Sequence, residues 1–474
     1  MKPAERARFQ HPCPAVVELM VVEQMVFGPL TEQALPGSGP IGAQLPIWTT
    51  TAWRGKERRP LGSVKPMDAE TPSSQTSEAL PDGANQAGRW VRVGSSLASD
   101  PETAVAEALS TVLEAGPPLL VLIFCSPRHN IETLTAQVEQ RCGGAQVIGC
   151  TTSGELDIQR SMAGGLCLWA LGGQGVSVAT GMGQGDAKGL HQAAHAAARC
   201  LDRLERRDHT VLVLLADGLC GDQMEVVRGA YEVAGVDVPL VGGCAGDDLA
   251  MRQTRQIFGR QVLSHAVVAA AISSEAPLGI GMSHCWEPKG APLLVTGSDG
   301  TSVWSLDDRP ALDVYLEAFE APADLLARSK AFAAFASTRP LGLRRRDRIE
   351  LRFVAGFDRE RRSLLTIAEV PQGGLAFLMQ GDQHSVLQAT QEACELALRQ
   401  LGERQACGML LFDCVARRSV LLADGRAESQ AEVERIRAVV GNIPVAGFYT
   451  YGEIARTHGA GGFHNQTLVA LAVA

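Results

Sequence analysis

The 474-residue sequence has no C-x-x-C pair among its 12 cysteines, so it signals neither a zinc ribbon nor a thioredoxin-type redox site. No C-x-x-C-H occurs, which removes covalent c-type haem attachment by that motif. Aromatic residues are few, at 5%, and basic residues are outnumbered by acidic ones, 43 against 52. A formal net charge of −9 leaves no electrostatic footprint for nucleic acid and no polybasic attraction to an anionic membrane. No uninterrupted apolar run approaches the ~20 residues of a bilayer span. G-x-S-x-G is missing. In Gly181-Met-Gly-Gln-Gly-Asp-Ala-Lys188, Asp186 stands where a Walker loop needs glycine before lysine. These absences point away from a membrane protein, a secreted disulfide scaffold and the common hydrolase and nucleotide-binding motifs.

What is present is globular. The cysteines are dispersed and lie in apolar surroundings, as Cys125 does in LLVLIFCS, which reads as reduced core thiols of a cytoplasmic protein. Residues 1–87 stand apart. They hold PGSGP at 36–40, a basic cluster at 54–59 and a polar stretch at 68–86, and are expected to be a disordered or misassigned extension, with Met67 an alternative start.

From residue 88, short apolar runs alternate with helical spacing. Strands are expected at 91–97, 119–126, 145–150, 165–171, 211–217, 238–243, 256–259, 266–272 and 292–298. A second series follows at 351–358, 364–370, 376–380, 408–414, 444–450 and 467–473. Helices are expected over 100–115, with Asp100 as N-cap before Pro101, and over 191–206, 311–319, 385–401 and 428–440. This predicts two α/β domains, 88–305 and 306–474, with mixed, largely antiparallel sheets covered by helices. Both a stacked α-β-β-α sandwich and a one-sheet arrangement satisfy the pattern.

One local pattern recurs. Val147-Ile-Gly-Cys-Thr-Thr-Ser-Gly-Glu-Leu156 aligns with Val445-Ala-Gly-Phe-Tyr-Thr-Tyr-Gly-Glu-Ile454, and Val241-Gly-Gly-Cys-Ala-Gly-Asp247 is a shorter relative. Each is an apolar strand, a loop of small residues, then glycine and an acid. Ligands gather at such strand ends in α/β proteins. Gly149, Thr151, Thr152, Ser153 and Glu155, with Tyr449, Thr450, Tyr451 and Glu453, are therefore the expected ligand-binding residues. The same spacing also describes a Gly-rich turn whose acid caps the next segment, and Glu155 with Glu453 is a conceivable carboxylate pair.

These motifs, with PLGIGMSHCWEP (277–288), DDRPALDVYLE (307–317) and FHNQT (463–467), resemble FIST proteins, sensory modules with an N-terminal and a C-terminal FIST domain. The resemblance covers residues 90–474. It implies small-ligand sensing rather than catalysis. One branch, the NosP type, binds haem b and senses nitric oxide, signalling through histidine kinases or cyclic-di-GMP enzymes. The rival implication is a haem-free sensor of an amino acid or related metabolite. For haem, a neutral imidazole is the usual iron donor. His464, beside Phe463, and His284, near Met282, Cys285 and Trp286, are the candidate iron ligands. Several other groups read as structural. His191 and His195 share a helical face without a third metal ligand, Cys150, Cys244 and Cys414 read as packing residues, and Arg417 and Arg418 as surface residues.

Overall fold

The computed structural model describes residues 88–345, 348–422, 428–457 and 461–474. The expected 1–87 extension lies outside them. Among the described residues no helix is long and apolar enough to cross a membrane.

The chain is α/β, with mixed, largely antiparallel sheets covered by helices. Three six-stranded sheets each contain one parallel pair, and every other pairing in them is antiparallel. The parallel pairs are Leu120–Cys125 with Gln146–Thr151, His209–Ala216 with Leu240–Cys244, and Gly408–Cys414 with Val445–Thr450. The second strand of each pair carries one copy of the recurring sequence pattern. The two halves of the sequence thus resolve into three strand–helix–strand–helix–strand units, and the short Val241–Asp247 relative marks the middle one.

Helix starts follow local chemistry. Asp100, Asn130 and Asp222 each accept a backbone N–H of the first turn, at 2.9, 3.0 and 2.9 Å, for the helices Pro101–Leu113, Ile131–Arg141 and Gln223–Ala234. The predicted helix over 191–206 ends early, as Leu190–Ala198 followed by a 3-10 turn, Arg199–Arg203. One face of each sheet turns into a shared apolar core, where Phe124 and Phe448 lie 4.7 Å apart and Phe412 meets Phe448 at 5.9 Å. The opposite faces are covered by helices: Pro101–Leu113 and Ile131–Arg141 on the first, Leu190–Ala198 and Gln223–Ala234 on the second, Gln383–Arg399 and Glu428–Val440 on the third.

A fourth sheet is inserted into the third unit. Its nine strands run from Glu287–Pro288 to Leu375–Gln380 and pack on the helices Ala311–Ala318 and Ser329–Ser337 around a core of their own. The runs read as strands at 292–298, 351–358, 364–370 and 376–380 belong here. Position 305 falls inside the strand Ser302–Leu306 of this sheet.

After its patterned strand, each unit sends a short arm into another unit's sheet. Glu155–Asp157 pairs with Val445–Thr450, Glu453–Arg456 pairs with Leu240–Cys244, and Gln256–Phe258 pairs with Gln146–Thr151. The exchange is cyclic, so the three turns between patterned strand and arm converge.

Candidate functional site

The three converging turns, called corners below with the strand ends that flank them, bring together all the expected ligand-binding residues except Gly149, which lies within the strand Gln146–Thr151. The register identifies structural counterparts more closely than the sequence alignment did. Gly149, Gly447 and Gly242 pair with Ile123, Leu411 and Leu214 of the neighbouring parallel strand, and with Ile257, Leu156 and Ile454 of the incoming arm. The middle copy is therefore displaced by one residue from the alignment that begins at Val241. Gly149 serves packing: a Cβ there would lie 2.3 Å from the Ile123 carbonyl oxygen. Gly154 turns the first corner at φ +117°, and a Cβ on it would stand 2.8 Å from the Met162 carbonyl oxygen.

By the same register, Glu155, Glu453 and Gln256 are counterparts, each fully buried at the head of an arm. Each side chain bridges its own corner to the strand that follows. Thr152 donates its hydroxyl to Glu155 Oε1, and Gly165 N–H donates to Oε2 at 2.8 Å. Thr450 donates to Glu453 Oε1 at 2.6 Å, and Thr467 N–H to Oε2 at 3.1 Å. In the third case Gln256 Nε2 donates to Thr254 Oγ1 at 3.2 Å, while its Oε1 accepts Ala266 N–H at 3.3 Å. A neutral amide thus does what the two carboxyls do. Burial drives both Glu155 and Glu453 up to about 8, against the opposing pull of their hydrogen bonds. A protonated carboxyl donates and accepts in the pattern Gln256 displays. The two glutamates act as internal clamps, with both oxygens committed, rather than as an exposed acid–base pair.

Backbone bonds join the corners. Ser153 N–H donates to Tyr449 O at 3.1 Å, Tyr449 N–H to Gly154 O at 2.8 Å, and Gly246 N–H to Thr151 O at 2.9 Å. Tyr451 N–H donates to Cys244 O at 3.1 Å, and Thr152 O accepts Asp248 N–H at 3.0 Å. Thr151 Oγ1 accepts Arg255 N–H at 2.9 Å. Tyr451 donates its phenol proton to Asp247 Oδ1 at 2.5 Å, and its oxygen accepts the N–H groups of Asp247 and Leu249 at 3.3 and 2.9 Å. Tyr449 donates to Glu432 at 3.0 Å and lies under the Arg418 guanidinium, whose Nη1 donates to Ser153 O at 2.8 Å.

Arg417 and Arg418, read as surface residues, are both buried. Arg417 donates to Asp413 at 2.5 Å, to Thr390 at 2.7 Å and to Glu432 at 3.2 Å. Two carboxyls and one guanidinium share this dry space, so burial and the Glu432 charge push Asp413 well above the usual carboxylate range. Spacing gave no sign of this trio, because Glu432 lies on a separate helix, Glu428–Val440, and its polar sequence reads as a solvated face.

The middle corner is the strained one. Asp248, Leu249 and Met251 all adopt positive φ, at 55°, 63° and 51°. Asp247 holds this turn: besides the Tyr451 hydroxyl it accepts the N–H groups of Met251, Arg252 and Gln253 at 2.9, 2.7 and 2.9 Å. Asp248 is half-buried, accepts the Ser126 hydroxyl at 2.7 Å and lies 3.4 Å from the exposed Arg128 Nε. Burial raises its carboxyl. Asp247 ends the shorter relative of the pattern, but its role needed the fold to appear.

Of the candidate iron ligands, His464 adjoins the third corner and His284 follows the strand Leu278–Ser283. His464 sits in the strand Phe463–His464, paired with Glu453, and its Nε2 is 3.0 Å from the Ala455 carbonyl oxygen. His284 accepts Trp286 N–H on Nδ1 at 3.1 Å and bonds the Ile349 backbone. Each ring thus has a backbone partner, the kind of contact that fixes a histidine's tautomer and orientation whether or not it ligates a metal. His191 bonds Glu225 and Glu232, each at 3.0 Å, and among the described residues no group of three or more His, Cys, Asp or Glu is arranged to hold a metal ion. Cys150, Cys244 and Cys414 are buried thiols pushed well above their ordinary pKa by desolvation.

Two proteins of Mycobacterium tuberculosis strains, the uncharacterized proteins MT0656 and Rv0628c, are each 25% identical over 408 residues, covering 80% of this chain and 97% of their own. The uncharacterized protein MJ1623 of Methanocaldococcus jannaschii is 30% identical over 80 residues, 17% of this chain and 16% of its own. The crystal structure of a cyanuric acid hydrolase from A. caulinodans aligns with 81% of this chain and 99% of its own, at 9% identity and a TM-score of 0.31. Family models match a FIST N domain at residues 119–309 and a FIST C domain at 311–456. The chain therefore belongs to the FIST proteins, whose domains are generally small-ligand sensors in signalling proteins.

Proposed function

We propose that this protein senses an amino acid or related small polar metabolite and reports occupancy to a partner protein by repacking its three corners. The observation that carries this reading is the cyclic exchange of arms. Each corner is bonded to another unit's corner, so a displacement at one changes the strand register available to the next. A ligand shifts such an equilibrium only by its differential affinity for the two packings. The strained turn at 247–251 is the element with least to lose on moving, since Asp248, Leu249 and Met251 all hold positive φ there. Within this reading the receiver is a histidine kinase or a cyclic-di-GMP enzyme, the partner class implied by the resemblance to the NosP branch. The metabolite reading is put ahead of haem-based nitric oxide sensing because the corners gather hydroxyl, phenol and carboxyl groups, the donors and acceptors that recognise a small polar molecule.

The test is a thermal-shift screen of the full chain against amino acids and small carboxylates, with a parallel haemin titration. A ligand at a hundred times its Kd stabilises by about 2.7 kcal/mol, a shift of a few degrees for a chain this long. At least one metabolite is expected to give it, and haemin to give no nitric-oxide-responsive Soret band. A screen with no shift, or a Soret band that moves with nitric oxide, overturns the reading.

A further inference from the structure

Away from the corners, a cavity of about 310 Å³ lies where the fourth sheet meets the start of the helix Gln383–Arg399. Lys289 and Arg339 line it, and both stand over one ring: the ammonium is 5.4 Å and the guanidinium 5.6 Å from the Phe319 centroid. Arg339 is held in place. It stacks on Phe335 at 4.0 Å and donates Nη1 to Phe335 O at 2.8 Å and to Thr338 Oγ1 at 2.7 Å.

Two acids share the lining but do not neutralise these cations. Asp382 is committed as the helix N-cap, accepting Ser385 N–H at 2.9 Å and its hydroxyl at 3.2 Å. Glu287 is exposed on the strand Glu287–Pro288. Among the described residues neither cation forms an ion pair, although burial disfavours the charge of Arg339. A half-buried guanidinium fixed by two rings and facing open space has a vacant counter-ion position.

We infer that this cavity binds a small organic carboxylate, its oxygens between Lys289 Nζ and the free edge of Arg339 and its carbon body on Phe319. The planar fork of arginine suits a carboxylate, lysine adds a point charge, and the volume suits a metabolite of a few carbons. The binding stands on this geometry alone. Its signalling role rests on the sensor reading above, and the structure supplies a route for it. Trp286, packed against Gly381 of the cavity wall, donates its indole N–H to Gln466 O at 3.1 Å. Gln466 Nε2 donates to Ser337 O at 2.5 Å, and the next residue, Thr467, donates its N–H to Glu453.

Isothermal titration of the full chain with succinate, benzoate and inorganic phosphate tests the assignment. At least one carboxylate is expected to bind, and Lys289→Gln to weaken it roughly tenfold, as loss of one charge-assisted contact does. Lys289 is exposed, so this variant keeps the fold, which circular dichroism checks. Arg339→Lys is expected to weaken binding while retaining the charge, because the fork is lost. No carboxylate binding at 10 mM, binding of phosphate alone, or equal affinity in Lys289→Gln overturns the proposal. Carboxylate binding that leaves the corners unchanged refutes the sensor reading but keeps this site. Stabilisation by other metabolites alone does the reverse.

Discussion

Replacing the two clamp glutamates by glutamine isolates the main electrostatic feature of the corners. Glu155 and Glu453 are fully buried, and desolvation raises each from its ordinary value of 4.5 to about 8. A group whose pKa is raised by folding binds its proton more tightly in the folded state. Its contribution is complete below the unfolded value and is lost as pH climbs through the folded one. Between about pH 5.5 and pH 7.5 each glutamate should therefore cost roughly 1.4 kcal/mol per unit, or about 3 kcal/mol over the interval. The protein supplies its own control, because Gln256 makes the same bridge with an amide. Glu155→Gln and Glu453→Gln should be near neutral at pH 5.5 and stabilising at pH 7.5, each flattening the pH profile by about 3 kcal/mol. Urea unfolding at a series of pH values measures this directly. The reasoning fails if the variants keep the wild-type slope, or if either is strongly destabilised at pH 5.5 where the native carboxyl is neutral.

Other substitutions follow from the packing. Gly149→Ala should cost about 1–3 kcal/mol in denaturant unfolding, because its Cβ meets the Ile123 carbonyl in a sheet that cannot widen locally. Arg417→Met removes the cation between Asp413 and Glu432 and should cost about 3–5 kcal/mol near neutral pH. Part of that loss should return as pH falls and the stranded carboxyls take up protons, which a pH series of melting curves will show. Asp247→Ala should leave global stability largely intact yet raise amide exchange at 251–253, whose N–H groups its carboxylate accepts.

Much of the architecture was legible because buried strands announce themselves as short apolar runs, and most expected strands from Trp90–Ser96 to Leu468–Val473 are present within a residue or two at their ends. The strand Val176–Gln184 escaped notice because Gly181 and Gly183 dilute its β character. Those glycines exist to admit the carbonyls of Ala197 and Ala193, 2.2 Å from where a Cβ would be. The helix Gln223–Ala234 was also missed, although its Asp222 cap and the spacing of Val226, Val227 and Ala230 mark it. The fourth sheet's strands were in part read as runs, but their pairing into a sheet with its own core is set by tertiary contacts. The repeated Gly-acid pattern correctly marked the convergent corners. What it could not reveal is that Gln256, which shares no motif with Glu155, is its counterpart, because that equivalence is written in strand register alone. Arg417 and Arg418 were misread for a related reason: a charged pair looks solvated until a distant helix brings Glu432 to meet it.

Hydrogen–deuterium exchange at the three corners, with and without a metabolite that stabilises the protein, tests the central claim most directly. Coupled sensing predicts that exchange changes together in the peptides around Thr152–Glu155, Asp247–Gln256 and Thr450–Glu453, although one ligand occupies one place. A compound that binds tightly while all three corners exchange as they do in the free protein contradicts it.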